Sequence, residues 1–244
     1  MRFSVFSRAT GLVGAFTVVL ASLGSLSATA EATAAVTPTT SSVLASAKSA
    51  IGKQTSVHLV VTSSSNSTSV EERLEADLAR TSGVETISVG TEAAMIKLTP
   101  SFAYLSGNSS GLTKIVGLSS AQVKKVGTDW VSVKAGTTQY KGLAASLTVT
   151  SIASVLPAAV GTKLYAPAPP AKKLYSLKWN TAATSSAPAL ANTLTLSAIG
   201  PPLPVRETAT ASGGSNEIVA LSKWGEHVLV SAPPAGSTIP FSNL

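Results

Sequence analysis

The stretch LPVRETATASGGSNEIVALSKW, residues 203–224, decides the fold. Ser212, Gly213, Gly214, Ser215 and Asn216 separate two extended runs, LPVRETATA and NEIVALSKW, in which apolar residues recur with period two. In the first run Val205 stands somewhat out of phase with Thr208 and Thr210. Glycine reaches the positive φ that tight reversals need, so the spacing predicts an antiparallel hairpin. Two further extended runs, LYSLKW and NTLTLSA, precede it beyond the proline-rich break APAPPAKK, and the C-terminal half reads as a meander. The terminal HVLVSAPPAGSTIPF carries two adjacent prolines, which suit an edge strand and a surface-lying segment better than a central ladder.

Toward the N-terminus the pattern mixes helices and strands. SSVLASAKSAIGKQ places Val43, Leu44, Ala47 and Ile51 on one helical stripe, with a Ser available as N-cap and Gly52 near the exit. SVHLVVT follows, with Val57, Leu59 and Val61 alternating with Ser56, His58 and Val60 as in a strand with one buried face. VEERLEADLARTSG spaces Val70, Leu74 and Leu78 as a helix does and intersperses Glu with Arg; a charged insertion on a sheet edge is the alternative. VETISVG, AAMIKLT and SFAYLSG read as short antiparallel strands joined by hairpins. GLTKIVGLSSAQVKKVG fits one or two short helices interrupted at Gly117, and TDWVSVK begins a new strand. LAASLTVTSIASVLP is expected as a helix with Leu143, Leu147, Ile152 and Leu156 inward, ended by Pro157. Strands dominate, without strand–helix alternation, so the expected class is α+β on a large antiparallel sheet.

The first residues read as an export segment. Arg2 and Arg8 precede an apolar run from Gly11, and SATAEATAA offers small residues for cleavage after Ala30 or Ala34, with Ala30 preferred. The run contains Gly14, Gly24 and several Ser and is short for a membrane span of roughly 20 residues, so an uncleaved anchor is the weaker reading. The expected organisation is a signal peptide over 1–30, a flexible spacer over 31–42 and a single domain over 43–244, a size of roughly 200 residues that one hydrophobic core can fill. Localisation is accordingly expected to be extracellular or in the cell envelope. Without any Cys there is neither a disulfide nor a thioether-linked lipid, and stability must come from the core.

Composition narrows the chemistry. Charged residues make up only 12% of the chain, so the abundant Ser and Thr give a hydroxyl-rich surface. The formal charge of +7 falls to +5 when Arg2 and Arg8 leave, and the lysines are dispersed or paired, as at Lys124–Lys125 and Lys172–Lys173. No basic stripe interleaved with aromatics appears, which argues against nucleic-acid binding. His58 and His227 lie far apart and lack the companions of a zinc site, so each reads as a sheet-surface histidine. No G-x-S-x-G elbow and no phosphate-binding glycine loop occurs. The acids Glu71, Glu72, Glu75 and Asp77 alternate with Arg73 and Arg80 as on a solvated surface. Trp130, Trp179 and Trp224 either line an apolar cavity or, the favoured reading, pack in the core. No catalytic residue, metal ligand or cofactor follows from these patterns.

The helix leading into SVHLVVT, then AAMIKLT, FAYLSGN, GLSSAQVKKVGTDWVSV and LPVRETATASGGSNEIVALSKWGEHVLVSAPP, resemble landmarks of the actinobacterial exported lipoproteins of the LppX and LprG type, lipid carriers related in fold to periplasmic lipoprotein carriers. The resemblance implies a strongly curved antiparallel sheet, a half-barrel, with helices packed on its concave face and an apolar cavity between the layers. Burying an acyl chain there gains about 0.8 kcal/mol per CH₂. The residues expected to line it are Leu59, Val61, Ile96, Leu98, Phe102, Tyr104, Ile115, Trp130 and Leu147, each of which is otherwise plain core. The family's lipobox cysteine is missing, so no covalent lipid anchor carries over. The expected function is that of a secreted or cell-wall-associated, non-enzymatic, monomeric protein binding an acylated lipid or other apolar molecule, with the cell-envelope surface as a further partner. The alternative is a structural or interaction module on the same scaffold with no cavity.

Overall fold

The computed structural model describes residues 38–65, 68–165, 173–184, 188–234 and 236–244. The proposed signal peptide and most of the proposed spacer lie outside them. A helix, α1 (Thr40–Lys53), opens the described chain; its cap is Thr39, whose hydroxyl accepts from the Ser42 amide while Ser42 returns the bond to the Thr39 backbone. Five strands follow: β1 (Ser56–Ser65), β2 (Thr68–Ala79), β3 (Gly83–Val89), β4 (Glu92–Leu98) and β5 (Phe102–Gly107). Short helices α2 (Ser109–Lys114) and α3 (Ser120–Val126) are separated at Gly117, whose φ of 82° breaks the helical path. After β6 (Trp130–Lys134) come α4 (Thr138–Ser146) and a 3₁₀ helix (Val149–Val155). The chain ends with β7 (Lys163–Tyr165), β8 (Leu174–Thr181), β9 (Leu190–Ser197), β10 (Pro204–Ala211), β11 (Asn216–Ser222), β12 (Thr238–Pro240) and a final 3₁₀ turn (Phe241–Asn243).

All twelve strands form one sheet, in the order β12-β6-β5-β4-β3-β2-β1-β11-β10-β9-β8-β7. The expected hairpin over Ser212–Asn216 is present as the β10–β11 turn, with Gly214 at φ 84°. β12, which ends in Pro240, is an edge strand and runs parallel to β6, with Thr238 beside Trp130. The half-barrel is corrected here. The sheet is mixed rather than wholly antiparallel, and it is open, with β12 and β7 as two separate edges, neither closed into a barrel nor strongly curved. Sheets bend where bulges interrupt their ladders, and register shifts appear in β1–β2 at Ser63/Ser65 and in β9–β10 at Pro204/Arg206.

The helix expected at VEERLEADLARTSG is instead β2. It is a central strand, paired along its length with β1 and β3, and so is not an edge insertion either. A spacing of four satisfies both periodicities: Leu74, Ala76 and Leu78 are buried while Arg73, Glu75 and Asp77 point to the opposite face. Ladder bonds on two sides outweigh the helix propensity of Glu, Leu and Arg. LAASLTVTSIASVLP is divided as well. α4 stops at Ser146, Thr148 is extended, and the β-branched run after it winds as 3₁₀, while Leu143, Leu147 and Ile152 are buried as expected.

Helices cover one face of the sheet. Val43, Leu44 and Ala47 of α1 pack on Leu177, Leu194 and Leu196 of β8 and β9. Leu112, Val123, Leu143, Leu147 and Ile152 from the other helices join the larger core over β1–β6 and β11. Burying each large aliphatic side chain in these layers stabilises the fold by about 1.5–3 kcal/mol. α2 lies so close to β4 that a Cβ on Gly111 would stand 2.0 Å from the Ala93 carbonyl oxygen.

Candidate functional site

On the covered face every second residue of a strand should be apolar, and in most rows it is. In β1 these positions are Val57, Leu59, Val61 and then Ser63. In β11 they are Leu221, Val219 and then Glu217; in β2, Leu78, Ala76, Leu74 and then Glu72. Ser63 pairs with Glu217 on one side and Glu72 on the other, while Ala209 links Glu217 to Asn192 of β9. A polar row, Asn192–Ala209–Glu217–Ser63–Glu72, therefore crosses five strands at one end of an otherwise apolar face. Glu207 of β10 sits one row inward, beside Leu194 and Val219.

The row's hydrogen bonding is uneven. Asn192 is 6% exposed and satisfied, its Nδ2 donating to the Thr181 hydroxyl at 3.0 Å and to the Leu190 carbonyl. Ser63 Oγ and Glu217 Oε2 are buried without a hydrogen-bond partner. Burial, and after it the charge of Glu217, pushes the Glu207 carboxyl up to about 7; burial and then the charge of Glu72 push Glu217 upward. The row and the position just inside it thus bring together two carboxyls held above the ordinary carboxylate range, with Glu217 Oε2 unpartnered. Deeper in the core, Glu85 of β3 is 2% exposed with an unpartnered Oε1, and burial pushes its carboxyl up to about 8.

Of the nine residues expected to line a cavity, six come together on the covered side. Leu59, Val61, Ile96, Leu98 and Leu147 are buried there, and Ile115 packs against them. Phe102, Tyr104 and Trp130 do not join them: Ala103, Leu105 and Val131 occupy the inward positions of β5 and β6, so those aromatics face the other way. There the Phe102 and Tyr104 rings lie 5.9 Å apart, and the Lys97 ammonium stands 4.8 Å from the Trp130 ring centre. Trp179 and Trp224 pack against the two core clusters, the latter donating its Nε1–H to the Pro204 carbonyl.

Further clefts lie elsewhere. At the sheet edge, Phe102, Ser132, Val133, Lys134, Thr137, Gln139, Pro240, Phe241 and Ser242 surround about 580 Å³. A smaller cavity of about 180 Å³ brings His58 and His227 to one place with Asp77, Lys223 and Glu226. His58 Nδ1 lies 2.7 Å from Asp77 Oδ1 and Nε2 lies 3.9 Å from Glu75 Oε1. Both ring nitrogens therefore face carboxylates, whereas a nucleophile relay needs one of them on a hydroxyl. Among the described residues no group of three or more His, Cys, Asp or Glu is placed to hold a metal ion.

The polar row is missed by looking for clustered motifs, yet its signal is in the sequence. Glu217 has the parity of Val219 and Leu221, and Glu85 that of Ile87. The phase read from Val205 is reversed by the shift at Pro204/Arg206: Val205 is exposed, while Glu207, Ala209 and Ala211 face inward. A carboxylate in the buried phase of a strand is the pattern to look for.

No family model matches the chain, and no curated protein matches it. Among solved structures it is distantly similar to the lipoprotein LprF from Mycobacterium bovis, at 17% identity and a TM-score of 0.49 over 80% of this chain and 96% of that one. Lipoprotein LppX from Mycobacterium tuberculosis gives 18% identity and a TM-score of 0.46 over 78% and 99%. A DUF1329 family protein from Desulfovibrio piger gives 7% identity and 0.32 over 80% and 96%. None of these likenesses assigns a role to a residue of this chain.

Proposed function

We propose that the protein is a non-enzymatic carrier, exported from the cell, that binds an amphiphile between its helices and the covered face of its sheet. The apolar part of the ligand contacts Leu59, Val61, Ile96, Leu98, Ile115 and Leu147, and its polar end lies at the Glu217–Ser63 row. The observation that carries this reading is the pair of buried, unpartnered oxygens, Ser63 Oγ and Glu217 Oε2, beside Glu207 on an apolar layer. Each such group costs roughly 1–3 kcal/mol when left without a hydrogen bond. Hydroxyl or ammonium donors on a ligand relieve that cost, so the favoured cargo is an acylated or other apolar molecule with a donor-rich head. Export rests on Arg2, Arg8 and the apolar run from Gly11, and the absence of Cys leaves the carrier without a covalent lipid.

The test is native mass spectrometry of the mature protein purified from its producing cells, followed by organic extraction. A stoichiometric adduct bearing hydroxyl or amine groups is expected, and it should be lost in the Glu207→Leu/Glu217→Leu variant. A clean apoprotein, or an adduct indifferent to that double substitution, rejects the carrier reading and leaves the interaction module.

A further inference from the structure

We propose that the edge cleft between β6, α4 and the C-terminal turn is a second binding site, for an amphiphilic anion: a single apolar body bearing a carboxylate or phosphate. Its volume of about 580 Å³ falls within the ~300–1,000 Å³ typical of small-molecule pockets. Phe102, Pro240 and Phe241 supply the apolar walls. The polar part of the lining is of one sign, since Lys134 is exposed and none of the nine lining side chains is acidic.

The start of α4 adds to that sign. Thr137 caps the helix, accepting from the Tyr140 amide at 3.2 Å while donating to the Lys134 carbonyl at 2.9 Å. No acidic residue stands in the first turn, and the amides of Thr138 and Gln139 precede the first intrahelical bond, from Lys141 to the Thr137 carbonyl. Thr137 and Gln139 both line the cleft, so its lining joins a helix N-terminus, an ammonium and hydroxyls to aromatic side chains. This complementarity favours an anion with an apolar tail over a neutral lipid or a cation. The cleft is independent of the polar row: β6 lies four strands from β2, about 19 Å at 4.8 Å per strand.

The mature protein is titrated calorimetrically with dodecanoate, dodecyl phosphate and dodecanol below their micellar or solubility limits, and amide shifts are mapped by NMR. Both anions should bind more tightly than dodecanol and shift the amides of Ser132, Thr138, Gln139 and Ser242. Lys134→Glu, a surface change, should weaken both by about tenfold or more, the size of one charge-assisted hydrogen bond, while leaving dodecanol unchanged. The ratio of the two anions tells a carboxylate source from a phosphate source. Glu207→Leu/Glu217→Leu should leave this binding intact, which separates it from the carrier reading. Equal affinity for dodecanol, indifference to Lys134→Glu, or shifts confined to Val61–Ser64 and Asn216–Val219 overturns the proposal.

Discussion

At Glu85 the carboxyl lies between Ala76 and Ile96 along a row of the covered face and keeps its proton to about pH 8 because burial penalises the charged form. Unfolding returns it to the ordinary value of 4.5, so the native state binds more protons between the two values. Stability is therefore greatest below about pH 4.5 for this group and falls as pH rises toward 8, by several kcal/mol in all. Glu207 acts in the same direction over the narrower window from 4.5 to about 7. Thermal melts from pH 5 to 8 should show a falling Tm, and Glu85→Gln should remove about half of that slope below pH 7 and most of it above; an unchanged slope removes Glu85 as a source. At this scale the sequence was readable in one respect, that Glu85 and Glu217 stand in the apolar phase of their strands. That Ser63 and Glu217 meet with unpartnered oxygens depends on strands more than 100 residues apart in the chain, and no local pattern reports that.

Between elements, α2 approaches β4 closely at Gly111. Gly111→Ala drives a Cβ into the Ala93 backbone, which no side-chain rotation relieves, and should cost about 2–3 kcal/mol in urea unfolding. Gly52 in α1 has nothing within 4 Å of its missing Cβ, so Gly52→Ala should instead stabilise by about 0.5–1 kcal/mol. A result of equal sign at both positions contradicts the α2–β4 contact. The contrast with β2 is instructive. α1 was legible from its apolar stripe, although its cap is Thr39 rather than a Ser, and α2 and α3 from the break at Gly117; the caps Asn108 and Ser119, whose hydroxyl accepts from the Gln122 amide, were not read. β2 was misread because Val70, Leu74 and Leu78 fit either period, and the decision came from β1 and β3 on its two sides.

Across the whole molecule, protection should follow depth in the sheet. β1, β2 and β3 are paired on both sides and carry Val57, Leu59 and Leu78 at 0–1% exposure, whereas β7 and β12 are three-residue edges. Native-state hydrogen exchange should therefore give near-global opening energies for the ladder amides of β1–β3 and early exchange at Lys163–Tyr165, Thr238 and Ile239. Uniform protection would mean that the edges are covered in solution. The sequence by itself determined the α+β class, most strands, the β10–β11 hairpin and the burial of Leu59, Val61, Ile96, Leu98 and Leu147, because alternation, caps and glycine turns are local and obey fixed periods. Tertiary structure alone decided that β2 is a strand, that the sheet stays open with a parallel twelfth strand, that Phe102, Tyr104 and Trp130 face away from the core, and that Ser63 meets Glu217. Those outcomes follow from register and curvature, which arise when distant segments pair, and a one-residue shift such as that at Pro204/Arg206 moves every later side chain to the other face.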